Sequence, residues 1–162
     1  IFRIIFIFCI SLVTATCGFS PLYNDKGSMK IFKEIDIGKG ETPLSFLIQE
    51  ALLEKAPFKK SGKNLLYIKP IIKNSYGIIT TENEITRYSV TLYVEYSLYN
   101  KETKEISIKN NVSATSDYSA AVTRTGFATE IAKRDTYERL ADTVAEKMIT
   151  EILINNQIKY SP

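Results

Sequence analysis

Histidine is absent from the chain, and so is tryptophan. Without histidine the commonest general base and the commonest metal ligand are both missing, so hydrolase triads and zinc sites are not expected. Cysteine occurs twice, at Cys9 and Cys17, too few for a disulfide framework. No glycine-rich phosphate loop is present. No dense run of lysine and arginine is present either, and the formal net charge is only +3. Nucleic acid is therefore not an expected partner. The remaining acids are scattered, with no pair that spacing would force together, and neither an enzyme nor a cofactor or metal site is expected.

What the chain does contain begins with Arg3, the apolar run IIFIFCISLV from Ile4 to Val13, and the small residues Thr14, Ala15 and Thr16. A basic flank, a short apolar segment and small residues make a secretory signal, too short to span a bilayer. The chain opens on Ile1, so translation is expected to start upstream. Cleavage before Cys17 removes Cys9 and leaves one cysteine, which cannot close an internal disulfide. Thr14-Ala15-Thr16-Cys17 resembles the box that precedes the acylated cysteine of bacterial lipoproteins. Thr14 stands where an aliphatic residue is usual, and Thr16 is bulkier than glycine or alanine. Cys17 is accordingly expected to carry lipid. Gly18 follows it, not the aspartate that retains lipoproteins at the inner membrane, so the expected address is the outer membrane.

The expected organisation is a signal over 1–16, a lipidated linker over 17–28, one domain over 29–156 and a tail over 157–162. From Met29 to Ile37 apolar residues recur at odd positions (Met29, Ile31, Ile35, Ile37), the mark of a half-buried strand. Thr42-Pro43 reads as an N-cap followed by proline in the first turn. Leu44, Leu47, Ile48, Ala51 and Leu52 then form one helical stripe, ended by Pro57 and the KKSGKN loop. Leu65 to Tyr76 reads as a strand, with Pro70 favouring an edge or a bulge. In ITRYSVTLYVEYSLY, Tyr88, Val90, Leu92, Val94, Tyr96 and Leu98 face one way, and Arg87, Ser89, Thr91, Tyr93, Glu95 and Ser97 the other. Such alternation describes one covered and one wetter face, as in antiparallel sheets. After NKETK a fourth strand places Ile106, Ile108, Val112 and Ala114 on its apolar side.

A long helix over Phe127 to Ile154 closes the chain, with Tyr137, Leu140, Ala141, Val144, Ala145, Met148, Ile149 and Ile152 on one stripe. Glu130, Arg134 and Glu138 fall on the same stripe, and unpaired charges do not belong over an apolar sheet. The first turns are therefore expected to overhang the sheet or to form an exposed ladder, with Arg134 a candidate partner contact. The whole predicts an α+β fold, two helices packed on one face of a four-stranded, largely antiparallel sheet in the order β-α-β-β-β-α.

CGFSPLY after the cysteine, TRYSVTLYVEYSLYNKETKE in the middle, and DYSA before ATEIAKRDTYERLADTVAEKMITEIL resemble the LptE family of lipopolysaccharide-assembly lipoproteins. The match runs in order along nearly the whole mature chain. The resemblance implies a non-enzymatic lipoprotein of the outer membrane, facing the periplasm. It implies a plug and assembly partner inside the LptD β-barrel that contacts lipopolysaccharide. Phosphates and acidic sugars call for lysine or arginine; Lys59, Lys60, Lys63, Arg87 and Arg124 are the candidates, with Lys69 and Lys73 sharing a strand face. Each also fits an ordinary solvated charge. Tyr67, Tyr93 and Tyr99 on the wetter face fit either a barrel wall or plain strand residues. Two other classes remain open: a lipoprotein accessory to a lipid-shuttling ABC transporter, and a free periplasmic module or enzyme with Cys17 unlipidated.

Overall fold

Hydrogen bonding and apolar patterning place seven elements in the computed structural model, which describes residues 26–79, 85–119 and 126–160. They are α1 (Lys26–Phe32), β1 (Ile35–Ile37), α2 (Pro43–Lys55), β2 (Asn64–Ile79), β3 (Ile85–Asn100), β4 (Ile106–Ser119) and α3 (Phe127–Tyr160). The sheet runs in the order β1-β2-β3-β4. β1 pairs parallel to β2, and the β2–β3 and β3–β4 pairs are antiparallel. The fold is α+β, with α2 and α3 on one sheet face. Cys17 and Arg124 lie outside the described residues.

The helix starts follow local chemistry. Thr42 caps α2: its hydroxyl accepts from the Ser45 N–H at 3.2 Å while the Ser45 hydroxyl accepts from the Thr42 N–H at 2.9 Å. This reciprocal pair satisfies two otherwise orphaned donors, and Pro43 supplies a preset φ behind it. Ile48, Ala51 and Leu52 are buried on the face that α2 turns to the core, with Leu44 and Leu47 half-buried.

The core lies between the helices and the even-numbered face of β3. Val90, Leu92, Val94, Tyr96 and Leu98 meet the apolar side of α3, where Leu140, Val144, Met148, Ile149 and Ile152 are almost fully buried. One polar cluster closes this layer. The Tyr96 hydroxyl and the Asn110 Nδ2 each donate to Glu151 Oε2 at 2.8 Å. Burial pushes the Tyr96 hydroxyl well above its ordinary pKa, with the hydrogen bond to Glu151 adding to the effect. Tyr96 therefore stays a neutral donor that pins α3 to β3.

Three expectations need correction. The alternation from Met29 to Ile37 is not one strand: Lys33 interrupts it, residues 26–32 are helical, and only Ile35–Ile37 pairs. Met29 and Phe32 stand one helical turn apart, and Phe32 is fully buried, edge-on to Phe58 with ring centroids 5.1 Å apart. Ile106 does not share the face of Ile108. A register shift lets Ile108 oppose Leu98 while Ile106 opposes Tyr99, so Ile106 turns to the open face and is 58% exposed. The residue between them, Ser107, donates its hydroxyl to the Leu98 carbonyl at 3.1 Å. Finally, α3 continues six residues beyond Ile154, to Tyr160.

Pro70 sits where its missing N–H costs nothing. The Leu66 carbonyl accepts from the Gly38 N–H and so points away from β3. Residues of the same parity on β2, Pro70 included, point their backbone the same way, beyond the end of the short β1. The free edge of β4 is blunted by side chains. Lys147 Nζ donates to the Ser113 carbonyl at 2.7 Å, and the Asn111 N–H donates to Asn110 Oδ1 at 2.9 Å. Both occupy backbone groups that could otherwise pair with a foreign strand.

Candidate interaction surfaces

Among the described residues no helix covers the other sheet face. Its parity is set by β3: Thr91, Tyr93, Glu95, Ser97 and Tyr99 point away from α2 and α3. Tyr67 opposes Ser97 and Ile71 opposes Tyr93 on the same side. Tyr67 and Tyr99 meet edge-to-face at 6.4 Å, and Lys73 Nζ stands 5.0 Å above the Tyr93 ring. Tyr67, Ile71 and Tyr93 remain 54%, 41% and 40% exposed. Hydroxyls and charges surround this patch. Thr91 and Thr115 share a hydrogen bond of 2.9 Å, and Arg87 Nη2 lies 2.8 Å from Asp117 Oδ2. Hydrogen bonds from Ser89 and Arg87 hold the Asp117 carboxyl below its usual pKa. Aromatic rings with polar tips on a flat surface suit a protein or lipid-headgroup partner better than an enclosed small molecule. Ile71 was not among the sequence candidates, although it shares the parity of Tyr67, Lys69 and Lys73.

The four candidate cations among the described residues do not converge. Lys59, Lys60 and Lys63 lie in the loop before β2, at the end of the sheet where β3 finishes. Arg87 lies near the start of β3. Asn100 lies thirteen positions further along the strand, roughly 40 Å at about 3.4 Å per residue. Arg87 is also already paired with Asp117. A single phosphate could not touch both groups. Lys59, Lys60 and Lys63 instead neighbour Lys101 and Lys104, because the Lys101 N–H donates to the Lys63 carbonyl at 3.0 Å. The NKETK turn carried this signal, since a turn after β3 must return beside the chain entering β2.

Arg134 stands in the exposed first turns of α3. Its side chain and those of Glu130 and Glu138 are 71%, 72% and 52% exposed. Arg134 Nε lies 3.6 Å from Glu138, and Lys133 Nζ lies 3.7 Å from Glu130. Burial raises the pKa of the Tyr118 hydroxyl, at the second-last residue of β4, and the neighbouring Tyr137, Tyr88 and Glu130 add to the effect. Glu130, two turns before Tyr137, reaches the same hydroxyl, so the first turns of α3 run beside the end of β4, with Thr136 buried within them. Phe127 and Ile131 are exposed on these turns and form a shallow groove with Arg134 and Tyr137.

Among the described residues no group of three or more acids or cysteines could hold a metal, and no helix is long and apolar enough to cross a membrane. One concavity of about 920 Å³ is an open groove lined by Lys30, Ile31, Asn64, Ile108 and Asn155 among others.

Against protein families and against curated proteins the chain matches nothing. Solved structures share its fold. A protein from Caulobacter crescentus CB15 superposes with a TM-score of 0.65 at 17% identity, over 79% of this chain and 94% of that one. Rare lipoprotein B from Shewanella oneidensis gives 0.57 at 14% identity, over 78% and 96%. A minor lipoprotein from Acinetobacter baumannii gives 0.52 at 12% identity, over 75% and 90%. Identities this low speak for the fold alone.

Proposed function

We propose that the chain is an LptE-type lipoprotein of the outer membrane, tethered through an acylated Cys17. In this reading it enters the lumen of an LptD-type β-barrel as plug and assembly partner, and contacts lipopolysaccharide in transit. Its role is binding, with no catalytic step. The observation that carries the reading is the uncovered sheet face with Tyr67, Ile71, Tyr93 and Tyr99. It lies on a fold shared with lipoproteins, in a chain whose apolar run Ile4 to Val13 and small residues are followed by Cys17. A barrel wall is a continuous surface of the size a sheet face needs to bury such a patch. Intact mass of membrane-extracted protein should exceed that of Cys17–Pro162 by a lipid, and Cys17→Ser should release a folded, unanchored domain. Purification in mild detergent then separates the partners. A large β-barrel supports the reading, transporter subunits favour an ABC-transporter accessory, and an isolated chain overturns both.

Arg134 is proposed as one barrel contact, because the first turns of α3 hold its charge exposed beside the exposed Phe127 and Ile131. Its exposed pair with Glu138 contributes little to stability. Arg134→Glu should thus leave the thermal midpoint of the domain nearly unchanged while lowering recovery of the barrel complex. Full recovery of the complex with the reversed charge would remove Arg134 from the interface.

A further inference from the structure

We propose that the end of the sheet where α1 joins β1 is a contact surface for an anionic phospholipid bilayer. The inference rests on the reading that the chain is tethered to a membrane through Cys17. Three turns are hydrogen-bonded together at this end. The Asn64 N–H donates to the Glu34 carbonyl at 3.0 Å, the Lys59 N–H to the Ile35 carbonyl at 3.1 Å, and the Lys101 N–H to the Lys63 carbonyl at 3.0 Å. The first turn and α1 bring Lys30 and Lys33, the second brings Lys59, Lys60 and Lys63, and the third brings Lys101 and Lys104. All are exposed. Against these seven lysines stand Glu34, Asp36, Glu102 and Glu105, and Asp36 is already held by Lys101 at 2.7 Å. The excess is three positive charges. The whole chain has a formal net charge of +3, and Cys17–Pro162, without Arg3, has +2, so the excess at this end accounts for all of the net positive charge of the mature chain. The imbalance of the protein is concentrated in one place.

The chemistry of that place favours a diffuse anionic surface over a discrete ligand. Every one of the seven cations is lysine, a flexible point charge, and none is arginine, whose fork suits a single phosphate. They are spread over three separate turns and are not gathered around a pocket. The location agrees. Cys17 lies nine positions before the start of α1, a covalent reach of at most about 30 Å. The tether therefore limits how far this end can stray from the membrane. A lipid surface potential decays within about 8–10 Å at physiological salt, so only the end nearest the anchor would feel it. Electrostatic contact and lipid anchor then act as two signals on one membrane.

The test uses the mature chain with Cys17→Ser, floated with phosphatidylcholine vesicles that contain or lack phosphatidylglycerol. Partition onto the anionic vesicles should be stronger by about tenfold or more, as expected for several surface lysines, and should vanish at high salt. The variant Lys59→Glu/Lys60→Glu/Lys63→Glu should lose that gain while keeping its circular dichroism and thermal midpoint. If charge reversal impairs folding, the corresponding glutamine variant should show a partial loss. Equal partition onto both vesicles, or full anionic binding by the folded lysine variants, overturns the proposal. So does binding to lipopolysaccharide micelles without any to phosphatidylglycerol vesicles, which would assign these lysines to a discrete saccharide-phosphate site. Failure of the lipidation reading appears separately, in the mass of the extracted protein, and leaves this partition unchanged.

Discussion

Leu92→Ala is expected to lower the unfolding free energy by about 2–5 kcal/mol, as large-to-small changes in packed cores do. Leu92 is fully buried, flanked across the sheet by Ile72 on β2 and Ala114 on β4, and roofed by the apolar stripe of α3. Strands on both sides hold the backbone, and the long helix cannot sink into a local gap, so little of the cavity can collapse. Thr91, one residue earlier, points to the open face and shares a 2.9 Å hydrogen bond with Thr115. Water can replace that bond, so Thr91→Ala should cost roughly 0.5 kcal/mol or less. Urea titrations of the two variants provide the check, with the slope unchanged and only the midpoint moving. A larger loss for Thr91→Ala would mean that the covered and open faces of β3 are exchanged.

Gly62→Ala is expected to cost about 1–3 kcal/mol or more, in the manner of an overpacked core. The reason is close backbone approach. A Cβ at Gly62 would lie 2.5 Å from the Glu34 carbonyl oxygen, 2.6 Å from its carbon and 2.7 Å from the Asp36 nitrogen. None of these atoms belongs to a side chain that could swing away. The same Glu34 carbonyl accepts from Asn64, and Ile35 opposes Asn64 in the parallel β1–β2 pair. A shift that admits the methyl group therefore opens that pair and displaces the lysine-bearing loop. Gly126→Ala supplies the comparison. Gly126 has φ +58 but nothing within 4 Å of a built Cβ, so only the left-handed backbone cost of about 1–2 kcal/mol applies. Thermal or chemical denaturation should rank Gly62→Ala as the more damaging, with loss of partition onto anionic vesicles beyond what its stability explains. A Gly62→Ala variant milder than Gly126→Ala would show that the loop does not press on β1.

Sequence alone determined the elements whose burial is periodic over many residues. The strict alternation of β3, the stripe of α2 behind Thr42-Pro43 and the stripe of α3 are each repeated often enough that no other backbone would bury them. Their order implied an α+β sandwich, and the structure has that architecture. Short elements behaved differently. Three paired residues of β1 cannot display a period, and a helix of seven residues next to them produced an apolar spacing that imitated alternation until Phe32 placed it. Ile106 left the covered face because of one register shift, which depends on how β3 and β4 pair and has no mark in either strand alone.

The interaction surfaces divide in the same way. Which residues share a face of β3 was legible, since parity is local. Tertiary structure decided that no helix among the described residues covers the face of Tyr67, Tyr93 and Tyr99. It also decided that Arg87 lies a strand's length from Lys59, Lys60 and Lys63, and that Lys101 and Lys104 join those three. Exposure and charge clustering depend on which distant segments the sheet brings together, and hydrogen bonds between residues as far apart as Lys63 and Lys101 leave no periodic trace in the chain.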